Sequence, residues 1–123
     1  MSRTMEDDAT AIKPYHHLDD GKPRTDLLQY NALLAVAMVN TAAVPKYGER
    51  NWEHHADRWS WGQLFGSAMR HAWKWIAGED FDAESKQHHL AHAAWNILTL
   101  LELVLAGRGH DNRMLIRKKV PNE

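Results

Sequence analysis

The sequence predicts an all-α chain: a small helical bundle of three main helices plus loops, completed by oligomerisation. Three observations predict it. Apolar residues recur every three or four positions in three separate stretches. Gly and Pro fall where those stretches end. No segment shows the strict alternation of a half-buried strand, and no internal repeat is present. At 123 residues one domain is expected, with a thin core. Three helices of this length bury their apolar faces poorly alone, so dimerisation into a larger bundle is expected, and six Trp and five Met supply area for it.

Residues 1–18 are polar and aperiodic and read as a flexible N-terminal tail. The helical domain spans 19–107. Its first segment, Asp19 to Arg24, holds Gly21 and Pro23 and reads as a turn or extended loop. Thr25 or Asp26 can cap a first helix with Leu27, Tyr30, Leu34, Ala37, Met38 and Thr41 on one face, ending near Ala43 ahead of Pro45. Lys46 to Trp52 is a polar loop hinged at Gly48. Ser60 and Gln63 form a capping box for a second helix. Its stripe is Trp61, Leu64, Phe65, Ala68, Ala72, Trp75 and Ile76, and Gly78 ends it. An acidic connector, Glu79 to Ser85, follows, and Asp82 or Ser85 can cap the third helix. That helix runs to about Ala106 and stops at Gly107, with Leu90, Ala94, Ile97, Leu98, Leu101, Val104 and Leu105 as its apolar face. Residues 108–123 form a basic tail with Arg113, Arg117, Lys118 and Lys119.

Composition excludes several classes. There are 15 Lys and Arg against 16 Asp and Glu, so no bulk basic surface points to a nucleic-acid polymer. Without cysteine there are no disulfides, zinc thiolates or Cys nucleophiles. No apolar run approaches a membrane span, and the acidic N-terminus is unlike a signal peptide, so a cytoplasmic protein is expected. A phosphate-cradling glycine loop, a nucleophile elbow and a His-Glu-x-x-His zinc motif are all missing. The one His-Asp pair, His110-Asp111, lies in the tail, which disfavours a His-Asp phosphohydrolase.

Residues 71–96 concentrate the chemistry. His89, His92 and Asn96 are spaced to share one helix face beside the apolar stripe. Such groups need a metal, a phosphate or a base as partner, or else they form a solvated flank. Four carboxylates within six positions, Glu79, Asp80, Asp82 and Glu84, repel one another unless solvated or neutralised by a cation. Magnesium suits carboxylates and bridges to phosphates. Glu79 and Asp82 are the preferred ligands, with Asp80 and Glu84 exposed. His71 can ligate a metal when neutral or contact phosphate when protonated. Lys22, Arg24, Lys46 and Arg50 precede helices and are candidate phosphate clamps. Asn51 can read a base and Trp52 can stack on it, or Trp52 can plug the core.

These residues fall in a recognisable order. It runs Asp20-Gly21-Lys22-Pro23-Arg24-x-Asp26-Leu27-Leu28, then Lys46-Tyr47-Gly48-x-x-Asn51-Trp52, then Arg70-His71. Trp75-x-x-Gly78-Glu79-Asp80-x-Asp82-x-Glu84-Ser85 and His89-Leu-Ala-His92-Ala-x-x-Asn96 complete it. Over about residues 18–105 the chain resembles the phage dATP/dGTP diphosphohydrolase family, a divergent branch of the MazG-like all-α pyrophosphohydrolases. The resemblance implies cleavage of dGTP or dATP to the monophosphate and pyrophosphate with Mg2+ or Mn2+; some members feed dGMP into synthesis of 2-aminoadenine DNA. With that reaction as the expectation, Glu79, Asp82, His89 and His92 are the residues expected to hold the metal, and His71 or Glu79 to take the water proton. Lys22, Arg24, Lys46, Arg50, Asn51, Trp52 and Asn96 would then bind substrate. MazG-like enzymes pair Glu-Glu-x-x-Glu with Glu-x-x-Asp; here His89-x-x-His92 stands for the second, and the first is not legible. Imidazole ligands shift preference towards manganese, cobalt or zinc. Two other classes fit the residues: a non-catalytic nucleotide-binding protein of the phage sponge type, and a helical assembly protein built around its tryptophans.

Overall fold

The computed structural model describes Pro14 and residues 21–114. The rest of the predicted N-terminal tail, and Arg117, Lys118 and Lys119, lie outside the described residues. A 3-10 turn, Thr25–Leu27, leads into α1 (Tyr30–Tyr47), the one-turn α2 (Asn51–His54), α3 (Trp61–Ile76) and α4 (His89–Ala106). The described residues are mostly helical and hold no strand, with isolated bridges at Ser60–His110 and Phe81–His88. α4 is the central helix; it packs most extensively on α3 and also on α1.

The first helix begins later and ends later than its sequence predicts. Arg24 donates two hydrogen bonds to the Asp26 carboxylate, at 2.9 and 2.8 Å, so Asp26 is engaged outside the helix. Leu28 is extended, with ψ 154°, and separates the 3-10 turn from α1. At the other end Pro45 lies inside α1. It removes one helical N–H, but it sits in the last turn and the chain closes behind it, with Gly48 N–H donating to Val44 O at 2.8 Å. Gly48 is then free to turn at φ +82°.

The α3 capping box forms as expected: both the backbone N–H and the hydroxyl of Ser60 donate to Gln63 Oε1, at 3.1 and 2.9 Å. Gly78, at φ +107°, follows the end of the helix. The cap of α4 is neither Asp82 nor Ser85 but His88, whose Nδ1 accepts from Leu90 N–H at 3.0 Å. Asp82 instead ties the connector together, accepting from Glu84 N–H at 3.1 Å and Ser85 N–H at 2.7 Å.

The predicted apolar faces of α1 and α4 point outward. On α4 the buried residues are His89, Ala91, Asn96, Thr99 and Leu103, while Leu90, Ile97, Leu98, Leu101, Val104 and Leu105 are exposed. On α1 only Val36 and Val39 are buried, and Tyr30, Leu34 and Met38 are exposed. Both helices are apolar on more than one side, so spacing alone could not choose the inner one. α4 is long and apolar enough to cross a membrane by length and composition, yet the side it buries carries His89, Asn96 and Thr99. The core joins Ala56, Leu64 and Leu103 to Trp52, Trp59, Trp95 and Leu100. Residues 108–112, assigned to the tail by sequence, are pinned to the start of α3. Arg108 pairs with Asp57 at 3.0 Å, His110 N–H donates to Trp59 O at 2.8 Å, and Gly62 N–H donates to Asn112 Oδ1 at 2.7 Å.

Candidate metal centre and nucleotide cleft

Helix–helix packing builds the site. α3 brings His71 against the N-terminal turn of α4, which carries His89 and His92, while the connector folds back over both. The fold-back is fixed by Asp82 N–H donating to Gln87 O and His89 N–H donating to Asp80 O, each at 2.8 Å.

His89 is fully buried. Its Nε2 lies 2.8 Å from Glu79 Oε1. A carboxylate only accepts, so Nε2 carries a hydrogen and the neutral ring presents a lone pair at Nδ1. That Nδ1 lies 2.9 Å from His71 Nδ1. Two nitrogens held cis on one cation, each at roughly 2.1 Å, would sit about 3 Å apart. Asp82 completes the group: one ligand atom from each of His71, Asp82 and His89 lies within 4.8 Å of the others. Without a cation the close nitrogens are satisfied by a shared hydrogen. Burial is the main cause that pushes the His71 imidazole down to about 4, with His92 and His89 adding to it. Ser85 N–H is the main cause that holds the Asp82 carboxyl below the usual carboxylate range. Neutral imidazoles beside an ionised carboxylate are the protonation states that metal ligands need.

Of the four ligands expected from sequence, Asp82 and His89 stand in this group. Glu79 stands behind His89, on the opposite ring nitrogen. His92 stacks on His71, with centroids 4.3 Å apart and planes 7° apart, and its Nε2 lies 2.6 Å from Ser85 Oγ. Burial lowers the His92 pKa as well. Asp80 and Glu84 are exposed, as expected.

Two cavities open on either side of the His71–His92 stack. The larger, about 660 Å³, is lined by Tyr47, Trp52 and Trp95 with Asn40, Asn51 and Asn96. The smaller, about 410 Å³, is lined by Lys46, Asp82, Glu84 and Ser85. Both are walled by His71 and His92. Lys46 reaches the smaller cavity from the end of α1 and lies 3.7 Å from Glu84. Arg50 lines the larger one, with its backbone in the left-handed region at φ +56° and its guanidinium 3.1 Å from Glu53. Lys22 and Arg24 line neither cavity, and Arg24 is paired with Asp26. Trp52 both lines the larger cavity and packs on the core. Asn96 Nδ2 donates to His92 O at 2.8 Å, one turn back.

Sequence reasoning did not select Asn40, Tyr47 or Trp95 as site residues. Trp95 Nε1–H donates to Asn40 Oδ1 at 2.6 Å. The signal for Asn40 was available: it is an amide in an otherwise apolar helical stretch.

Fold and site together define a small all-α protein with a His/Asp group that could hold a metal ion, beside two cavities. A family model described as dATP/dGTP diphosphohydrolase, N-terminal, matches residues 13–113, and the chain belongs to that family. No curated protein and no solved structure matches it. The family name implies diphosphohydrolase chemistry on a purine deoxynucleotide.

Proposed function

We propose that this protein hydrolyses dGTP or dATP at the α–β phosphoanhydride, giving the monophosphate and pyrophosphate in a divalent-metal-dependent reaction. The observation that carries the reading is the His71–Asp82–His89 group, whose His71 lines both an aromatic cavity and a charged one and whose Asp82 lines the charged one. The aromatic lobe suits a nucleobase between π-faces, and the charged lobe suits a metal-bound polyphosphate.

His71 Nδ1, His89 Nδ1 and Asp82 would hold Mg2+ or Mn2+. A cation there supplies charge neutralisation, polarisation of the phosphoryl group and a lowered pKa for an attacking water. The chain's own residues do the rest. Glu79 fixes the tautomer and rotation of His89. Asp82, through its bonds to Glu84 and Ser85, holds the connector over the site. Lys46 offers an ammonium to phosphate oxygens once drawn from Glu84, and Arg50 offers a guanidinium at the mouth of the aromatic lobe. Neither base named by sequence is free in this arrangement. His71 Nδ1 faces His89, and Glu79 is hydrogen-bonded on the far side of His89. His92, with burial favouring its neutral form, lines both lobes; its Nε2 is engaged by Ser85 Oγ, and it becomes the acceptor for the water proton when that hydroxyl turns away.

The exposed stripes of α1 and α4 support assembly of at least two copies. The test is release of pyrophosphate and monophosphate from a panel of deoxy- and ribonucleoside triphosphates with Mg2+, Mn2+ or EDTA. Metal-dependent dGMP or dAMP with pyrophosphate is the expected result. A nucleotide recovered intact under every metal condition would replace the enzyme with a nucleotide-binding protein.

A further inference from the structure

We propose that Asn40 reads the six-position of the purine and favours an acceptor there, so that the cleft prefers a 6-oxopurine to a 6-aminopurine. The inference rests on the nucleotide reading above. Its starting point is the 2.6 Å bond from Trp95 Nε1–H to Asn40 Oδ1. An indole N–H is a donor and nothing else, so it settles which end of the Asn40 amide faces Trp95. The oxygen end is turned to Trp95 by that bond, and the NH2 group is the end turned away from it. Asn40 and Trp95 both line the 660 Å³ lobe, together with the Tyr47 and Trp52 rings on which a base can lie.

A base that reaches Asn40 in that lobe from the side away from Trp95 meets the N–H donors of the amide. Guanine presents the acceptors O6 and N7 along one edge; adenine presents N7 beside a donor, the N6 amine. An amide NH2 bonds the first pair and opposes the N6 amine of the second. An asparagine free to rotate can serve adenine through N6 and N7 together, but here the bond to Trp95 aims the oxygen at the indole and away from a base that meets the NH2 end. The helix supports the assignment. Asn40 lies on α1 next to Val39, one of the two buried residues of that helix, so its backbone is anchored and the amide is held by Trp95 from α4.

The test compares binding of non-hydrolysable α,β-methylene analogues of dGTP, dATP and deoxyinosine triphosphate by calorimetry, with metal present. The wild type is expected to bind the guanine and hypoxanthine analogues at least tenfold more tightly than the adenine analogue. Asn40→Asp keeps an oxygen for Trp95 and replaces the NH2 by a second acceptor. It is expected to erase or reverse that ratio, whatever it does to overall affinity through its added charge. Asn40→Ala is expected to bring the ratio towards one, and circular dichroism checks that both variants keep their helices. Binding of all three analogues with the same ratio in wild type, Asn40→Asp and Asn40→Ala would overturn the role of Asn40 and leave the nucleotide reading standing. Failure of the folded wild type to bind any analogue would overturn both.

Discussion

His89 and Glu79 show how much a single contact decides. A buried imidazole with a carboxylate on one nitrogen has its hydrogen and rotation fixed on that side, and the other nitrogen is turned towards His71. Glu79→Gln keeps an acceptor but loses the charge, so the variant is expected to fold normally and bind Mn2+ or Co2+ about 10–100-fold more weakly. Calorimetry and the visible spectrum of the Co2+ form would read this without an activity assay; unchanged affinity would remove Glu79 from the centre. His71→Ala is expected to abolish the same Co2+ signal while the far-ultraviolet helix spectrum persists. The pH dependence follows from His71 as well. Its folded pKa is about 4 against an ordinary 6.5, so between those values the unfolded chain takes up a proton that the native state refuses. Stability therefore rises with pH across that window. Chelator-treated protein is expected to lose thermal stability as pH falls from 7 to 4, and His71→Ala should flatten that slope in a calorimetric scan.

Among the elements, the second helix is the one that sequence read most completely. Ser60, Gln63 and Gly78 are local signals, and local hydrogen bonds carry them out. Pro45 and the 108–112 segment depart from their sequence reading for different reasons. The proline is tolerated by a local closure, Gly48 N–H to Val44 O, whereas the segment is settled by Asp57, Trp59 and Gly62, far away along the chain. Gly109 anchors that segment at φ +88°, and a Cβ placed there would come within 2.9 Å of Trp59 O. Gly109→Ala is expected to destabilise the protein by about 1–3 kcal/mol, through both the left-handed backbone and the clash. Urea denaturation would measure it, and a loss below a few tenths would mean that the segment does not hold α3 and α4 together.

For the whole molecule the decisive fact is which side of each helix faces in. α4 buries His89, Asn96 and Thr99 and leaves Leu98, Leu101 and Leu105 outside, an arrangement that a lone 14.2 kDa chain has little reason to keep. Sedimentation is expected to give at least twice the chain mass. Leu101→Glu is expected to yield monomers that keep their helical signal, and a wild type that sediments as a monomer would refute the assembly.

By itself the sequence determined the all-α class, the capping box that opens α3, the glycine stops after α3 and α4, and the stretch from His71 to Asn96 where the chemistry gathers. These depend on short-range order: hydrogen bonds within a turn or two, and residue types that need particular partners. Only the tertiary structure decided that His71 joins Asp82 and His89, that Glu79 stands behind a ligand, and that Asn40 meets Trp95 across 55 positions. Those outcomes depend on how three helices rotate about their axes. Where a helix is apolar on more than one side, periodicity leaves that rotation undetermined, and the packing of α4 between α1 and α3 fixes it.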